Sequence, residues 1–134
     1  MHNMKTYVIF GLLFMIVGVL AYRYWRSSTV SFECENETLR EASSPDGKYV
    51  ASVFERNCGA TTPYYRIVAI RPAGTRLDAD KHEDWVFVTK ERSEVQLAWR
   101  DIHRLEVVAN GPNENGNDRK LWRDVEITTK PSSP

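Results

Sequence analysis

Cys34 and Cys58 are the only cysteines of the chain, and His82 and His103 are two of its three histidines. A cysteine nucleophile needs a thiolate, a nearby base and donors for an oxyanion. Either histidine could be the base, and Gly59 with Thr61 and Thr62 could supply donors beside Cys58. The same two cysteines can instead bond to each other, which removes the thiolate. A second group gathers His82, Glu83 and Asp84 near Asp78 and Asp80. These residue types suit a loose cation site, but DxDxDG-type spacing is absent and Arg76 and Lys81 interrupt the acids. A solvated loop without a metal is the expectation there. The third group is the turn Gly59-Ala60-Thr61-Thr62-Pro63, flanked by Arg56, Tyr64 and Tyr65. A small polar turn can hold an anion or a partner through backbone N–H groups. Equally, Gly59 can serve only to supply an unusual φ, and the threonine hydroxyls only to satisfy backbone groups. Arg56, Gly59, Thr61, Thr62 and Tyr64 form the candidate binding surface. No Walker loop, HExxH or GxSxG motif is present.

Which chemistry is open to the cysteines depends on how the chain brings them together. The stretch TLREASS–PDG–KYVASVFER reads as a β-hairpin. Pro45 presets φ for the first turn position, Asp46 suits the second and Gly47 can take the left-handed conformation after them. This predicts a three-residue loop with Ser44 opposite Lys48. Carried outward in the same register, Cys34 faces Cys58. Cysteines opposite each other in an antiparallel pair are close enough to bridge. A disulfide implies an oxidising compartment. The competing reading is two buried free thiols in a cytoplasmic domain.

The N-terminal segment bears on the same question. Thr6 to Tyr22 holds no charged residue. As a helix those residues span roughly 25 Å, and Arg23, Tyr24 and Trp25 extend this to about 30 Å, the thickness of a hydrocarbon core. Tyr22, Tyr24 and Trp25 stand where an interfacial aromatic belt belongs, and Arg23 and Arg26 can snorkel. A single-pass anchor through Thr6–Trp25 is expected. A cleaved signal peptide, ending near Val19-Leu20-Ala21, is the alternative. Lys5 on one side and the two arginines on the other nearly balance. The expected disulfide decides the orientation, with the N-terminus cytoplasmic and the C-terminal domain periplasmic or extracellular.

The remaining chain alternates like half-buried strands. Strand candidates are 63–71, 85–89, 94–100, 103–109 and 120–128, the last with Leu121, Val125 and Ile127 on one face. Pro72–Glu83 reads as a mobile polar loop, and Asn110–Asp118 as a hairpin tip. The expected fold is mostly β: a transmembrane helix and then about seven antiparallel strands in a sandwich, open barrel or curled sheet. The expected divisions are an anchor over 1–26, a spacer over 27–33, the β-domain over 34–130 and a tail over 131–134.

Two resemblances sit on these residues. Ser44-Pro45-Asp46-Gly47-Lys48-Tyr49-Val50-Ala51 resembles the SPDGK-x-(I/V)-A hairpin of PD40 blades in TolB-like β-propellers. It covers eight residues, and a propeller needs several blades. Cys34, Ser44–Gly47 and Phe54-Glu55-Arg56-Asn57-Cys58-Gly59-Ala60-Thr61-Thr62, with Leu97–Arg100 later, resemble a group of small uncharacterised bacterial exported or membrane proteins. That likeness spans Cys34 to Leu105 and implies placement and fold, without an activity.

Charge narrows the function. The chain carries 18 basic and 18 acidic residues. Lys5, Arg23 and Arg26 lie in residues 1–26 with no acid, which leaves 15 against 18, a net of −3, in residues 27–134. A neutral or acidic balance argues against binding nucleic acid by phosphate neutralisation. No cofactor is implied. The expected role is a non-catalytic binding or envelope-accessory module with a protein partner. The alternatives are a periplasmic immunity-type partner of a toxin and an enzyme dependent on Cys58.

Overall fold

The computed structural model describes residues 2–27, 33–114, 116 and 119–132. Residues 28–32 of the expected 27–33 spacer, the tail end 133–134 and Asn115, Asn117 and Asp118 lie outside the described residues. The chain divides into two compact units, Met1–Phe32 and Glu33–Pro134.

The described residues of the first unit form one helix, α1 (His2–Ser27). Its segment Thr6–Arg26 has a mean hydropathy of 1.9 and is not buried against anything. Apolar side chains cover every face: Phe10, Phe14 and Met15 are all exposed, as are Leu12, Ile16 and Leu20. A helix that is apolar all round needs an apolar medium or a protein core around it.

The described residues of the second unit form eight strands in two four-stranded sheets. Strands β1 (Glu35–Ser43), β2 (Tyr49–Asn57), β3 (Tyr65–Pro72) and β4 (Trp85–Lys90) form an antiparallel meander. Strands β5 (Val95–Asp101), β6 (Arg104–Ala109), β7 (Leu121–Trp122) and β8 (Val125–Pro131) form the second sheet in the order β5-β6-β8-β7. The sheets do not close into a barrel. Residues from both build one core, including Val53, Val68, Ile70, Leu105, Val107 and Val125.

Four local expectations are corrected. First, the hairpin closes Ser44 on Tyr49, not Lys48: the Ser44 N–H donates to the Tyr49 carbonyl at 2.9 Å, and the Tyr49 N–H to Ser44 Oγ at 3.0 Å. Asp46 accepts from Ser44 Oγ at 2.7 Å, and Gly47 takes φ 71°. This longer loop shifts the pairing by one, and a bulge at Leu39 shifts it back, so Glu35 faces Asn57.

Second, the stretch 120–128 is two strands. Arg123, at φ 51°, and Asp124 turn the chain, so Trp122 faces the core and Leu121 is 62% exposed. The alternation expected across that segment breaks at the turn. Third, the polar loop after Ala109 is not a hairpin tip. It crosses from β6 to β7, which are not neighbours, and β8 therefore runs parallel to β6. On its way it covers the free edge of β4: Asn113 Oδ1 accepts from the Val88 N–H, and the Glu114 N–H donates to the Val88 carbonyl. Covering an edge blocks unwanted strand addition.

Fourth, the segment 73–84 is a packed cover. Phe54, Ile67, Ala69 and Val88 form a second apolar cluster, with Leu77, Ala79 and Trp85 packed on it. By strand alternation Phe54 points away from its neighbour Val53, to the face opposite the inter-sheet core. Without a cover that face would be wet.

On the second sheet, Glu106 is nearly buried between Arg100 and Lys130, whose Nζ lies 2.7 Å away. The hydrogen bond from Arg100, then that from Lys130, pull its pKa down to about 2. A lowered folded-state pKa stabilises the fold above the unfolded value and loses that contribution as pH falls through the folded one. Glu106→Gln should therefore lower the melting temperature at neutral pH. The gap from wild type should narrow as pH falls below about 4.5 and close near pH 2, in paired thermal melts.

Candidate functional site

The β1–β2 pairing ends at the bridge it was expected to hold. Cys34 and Cys58 are joined with an S–S distance of 2.02 Å and Cα atoms 4.1 Å apart. Neither sulfur is a free thiol. The histidines are elsewhere engaged. His82 lies 4.0 Å from the Trp85 ring, and His103 Nδ1 lies 3.2 Å from Asp124 Oδ2. Asp124 also accepts the Tyr49 hydroxyl at 2.6 Å, which holds its carboxyl below the usual range and raises the Tyr49 phenol.

The five candidate surface residues separate into holders and lining. Arg56 is largely buried. Its guanidinium donates to Asn36 Oδ1, the Ala79 carbonyl and Asp80 Oδ1 at 3.1, 3.1 and 2.6 Å, and sits 5.7 Å from the Trp85 ring centre. It ties the 73–84 cover to the first two strands. Gly59, at φ 117°, donates its N–H to Asn57 Oδ1. Its carbonyl accepts the Thr62 N–H and the Thr62 Oγ1 hydroxyl. Gly59 and Thr62 thus shape the turn, while Thr61 is exposed. Tyr64, partly exposed, lines a notch.

That notch is a cavity of about 120 Å³ lined by Glu35, Glu37, Glu55, Asn57, Tyr64 and Arg92. It lies just inside the disulfide, since Glu35 and Asn57 each adjoin a cysteine. Glu37 stands directly opposite Glu55 in the pairing. Like charges so placed repel. Glu55 is nearly buried and finds compensation in Arg92 Nε at 3.3 Å and Arg66 Nε at 3.6 Å. The Arg92 guanidinium also rests 4.5 Å from the Tyr64 ring centre. Three carboxylates against one lining arginine leave the notch acidic, suited to a cationic group. Glu35, Glu37, Glu55 and Arg92 were not among the sequence candidates. The signal for three of them was the same hairpin register read one and three residues short of the cysteines, which aligns Glu35 with Asn57 and Glu37 with Glu55.

Among the described residues, no cluster of three or more His, Cys, Asp or Glu side chains is placed to hold a metal ion. The acids of 78–84 are otherwise engaged. Asp80 pairs with Arg56, and Lys81 reaches both Glu83 and Asp84 at 3.0 Å. The Trp122 indole N–H donates to Asp84 at 3.1 Å.

The disulfide spans 24 residues of chain. Replacing both cysteines by serine should cost about 3.5 kcal/mol in the chain-entropy account. A guanidinium unfolding midpoint that does not fall would show that the bridge adds nothing.

Comparison with curated proteins and with solved structures returns no significant match. A family model matches residues 2–115, which takes in α1, the bridged hairpin, the notch and the strands through β6. The chain belongs to that family, a family of unknown function (DUF5412).

Proposed function

We propose that this protein is a single-pass, membrane-anchored binding module whose β-domain works in the periplasm or outside the cell. Its N-terminus stays in the cytoplasm. The observation that carries this reading is the pairing of two features: an apolar helix with no internal burial, and a disulfide at the base of the first hairpin that follows it. The helix calls for a lipid environment. The disulfide calls for an oxidising one. A cytoplasmic β-domain satisfies only the first.

The role is recognition without chemistry. The acidic notch presents carboxylates beside a rigid, cross-linked strand end, and its walls are backbone-paired strands that hold their shape. Such a site suits a lysine or arginine side chain of a protein partner, held by charge and by the Tyr64 ring. An envelope-accessory role follows from that placement.

The test uses the full chain with a C-terminal epitope tag in spheroplasts. The expected outcome is loss of the tag to externally added protease. With it, a maleimide reagent should fail to label the denatured protein unless reductant is added first. Protection of the tag in intact spheroplasts, or ready labelling without reductant, would overturn the assignment.

A further inference from the structure

Strand β3 runs from Tyr65, beside the acidic notch, to Pro72 at the other end of the first sheet. There a second cavity, of about 180 Å³, opens between the 73–84 cover and the β7–β8 turn. It has room for about six waters at their liquid volume. Four cationic side chains line it, Arg71, Arg76, Lys81 and Arg123, against the carboxylates Asp78 and Asp84.

The charges are not equally free. Lys81 is matched by Asp84 and Glu83. The Arg71 guanidinium is pinned by the Thr75 carbonyl at 2.7 Å and Glu41 at 2.8 Å. Among the described residues, Arg76 and Arg123 have no carboxylate partner. Arg123 lies over the Trp122 ring at 4.7 Å, which fixes its direction and leaves its charge uncompensated. Its backbone is also out of the ordinary. At φ 51° it occupies a turn position that glycine, asparagine or aspartate takes more cheaply. An arginine held in that conformation at a cavity rim is the kind of outlier that points to use. Pro72 and Leu77 give the same cavity an apolar wall.

We propose that this cavity binds a small organic anion, with a carboxylate or phosphate head between Arg76 and Arg123 and a short apolar stem against Pro72 and Leu77. Guanidinium groups suit both heads because their planar donors match paired oxygens. The proposal does not rest on the membrane assignment, and either can fail alone.

The test follows backbone amide resonances of the full chain in detergent micelles during titration with phenyl phosphate, benzoate, inorganic phosphate and benzamidinium. Saturable shifts at Arg76, Leu77 and Arg123 are expected with phenyl phosphate or benzoate, and weaker ones with inorganic phosphate. The cation benzamidinium should give none there. Arg76→Ala and Arg123→Gly should each weaken binding about tenfold or more, the loss of one charge-assisted contact. Glycine suits the left-handed turn, so Arg123→Gly should keep its melting temperature while binding the anion more weakly. No saturable shift with either organic anion, unchanged affinity in both variants, or equal binding of benzamidinium would overturn the proposal.

Discussion

Strand β2 is buried on both faces, and the domain is organised around that constraint. Ala51 and Val53 face the second sheet, while Ser52 and Phe54 point the other way, and all four are buried. A half-exposed strand needs one layer to cover it. This strand needs two. The second sheet supplies one, through Leu105, Val107, Val125 and Ile127. The other must come from chain that is not a sheet, and the segment 73–84 supplies it by laying Leu77 and Ala79 over Phe54 and Ile67. An irregular cover carries unpaired backbone groups, so side chains have to fasten it. Arg56 takes the Ala79 carbonyl and the Asp80 carboxylate, and Trp122 of the second sheet takes Asp84. Both fastenings run from a strand residue to the cover. The acids that looked like a solvated run or a loose cation site are thereby accounted for.

That constraint was only partly legible in the sequence. The alternation of β5 and β6 was plain, because polar Gln96 and Arg100 in β5 and Arg104 and Glu106 in β6 mark the face away from the core. Val95, Leu97 and Trp99 turn inward, as do Leu105, Val107 and Ala109. A run such as Val50–Phe54, apolar except for Ser52, is ambiguous, since burial on both faces erases the period. The polar cover was read as mobile for a related reason. Its two anchoring apolar residues, Leu77 and Ala79, are too few to show a pattern. The β7–β8 turn was missed because its positive-φ residue is an arginine, not the glycine or asparagine that marks such turns.

The hairpin register shows a different kind of legibility. Pro45-Asp46-Gly47 identified the turn, but Ser44 reaches across the loop with its hydroxyl as well as its backbone and closes it one residue later than the turn residues imply. The bulge at Leu39 then compensates. A bulge has no dependable sequence mark, and this one falls on an edge strand whose residues are almost all exposed. Two offsets of opposite sense left Cys34 opposite Cys58. The bridge was therefore reached through a register that was wrong over the upper half of the hairpin and right over the lower half. The disulfide closes the half where the pairing carries the Glu37–Glu55 repulsion. A covalent tie there offsets a local electrostatic cost that hydrogen bonds alone would have to bear.

The two ends of the first sheet differ in sign, although composition conceals it. The disulfide end gathers Glu35, Glu37 and Glu55; the far end gathers Arg71, Arg76 and Arg123 with Lys81. The sum is close to neutral, so net charge says little about what the domain meets. Uniformly mixed charge would have kept such a domain soluble just as well. Separation leaves carboxylates facing one another across a strand pair at one end and, among the described residues, two arginines without acidic partners at the other. The facing carboxylates cost stability that a mixed surface would not. A domain with two small sheets has little to spare, and keeping both arrangements is easier to understand if each end meets something of opposite charge.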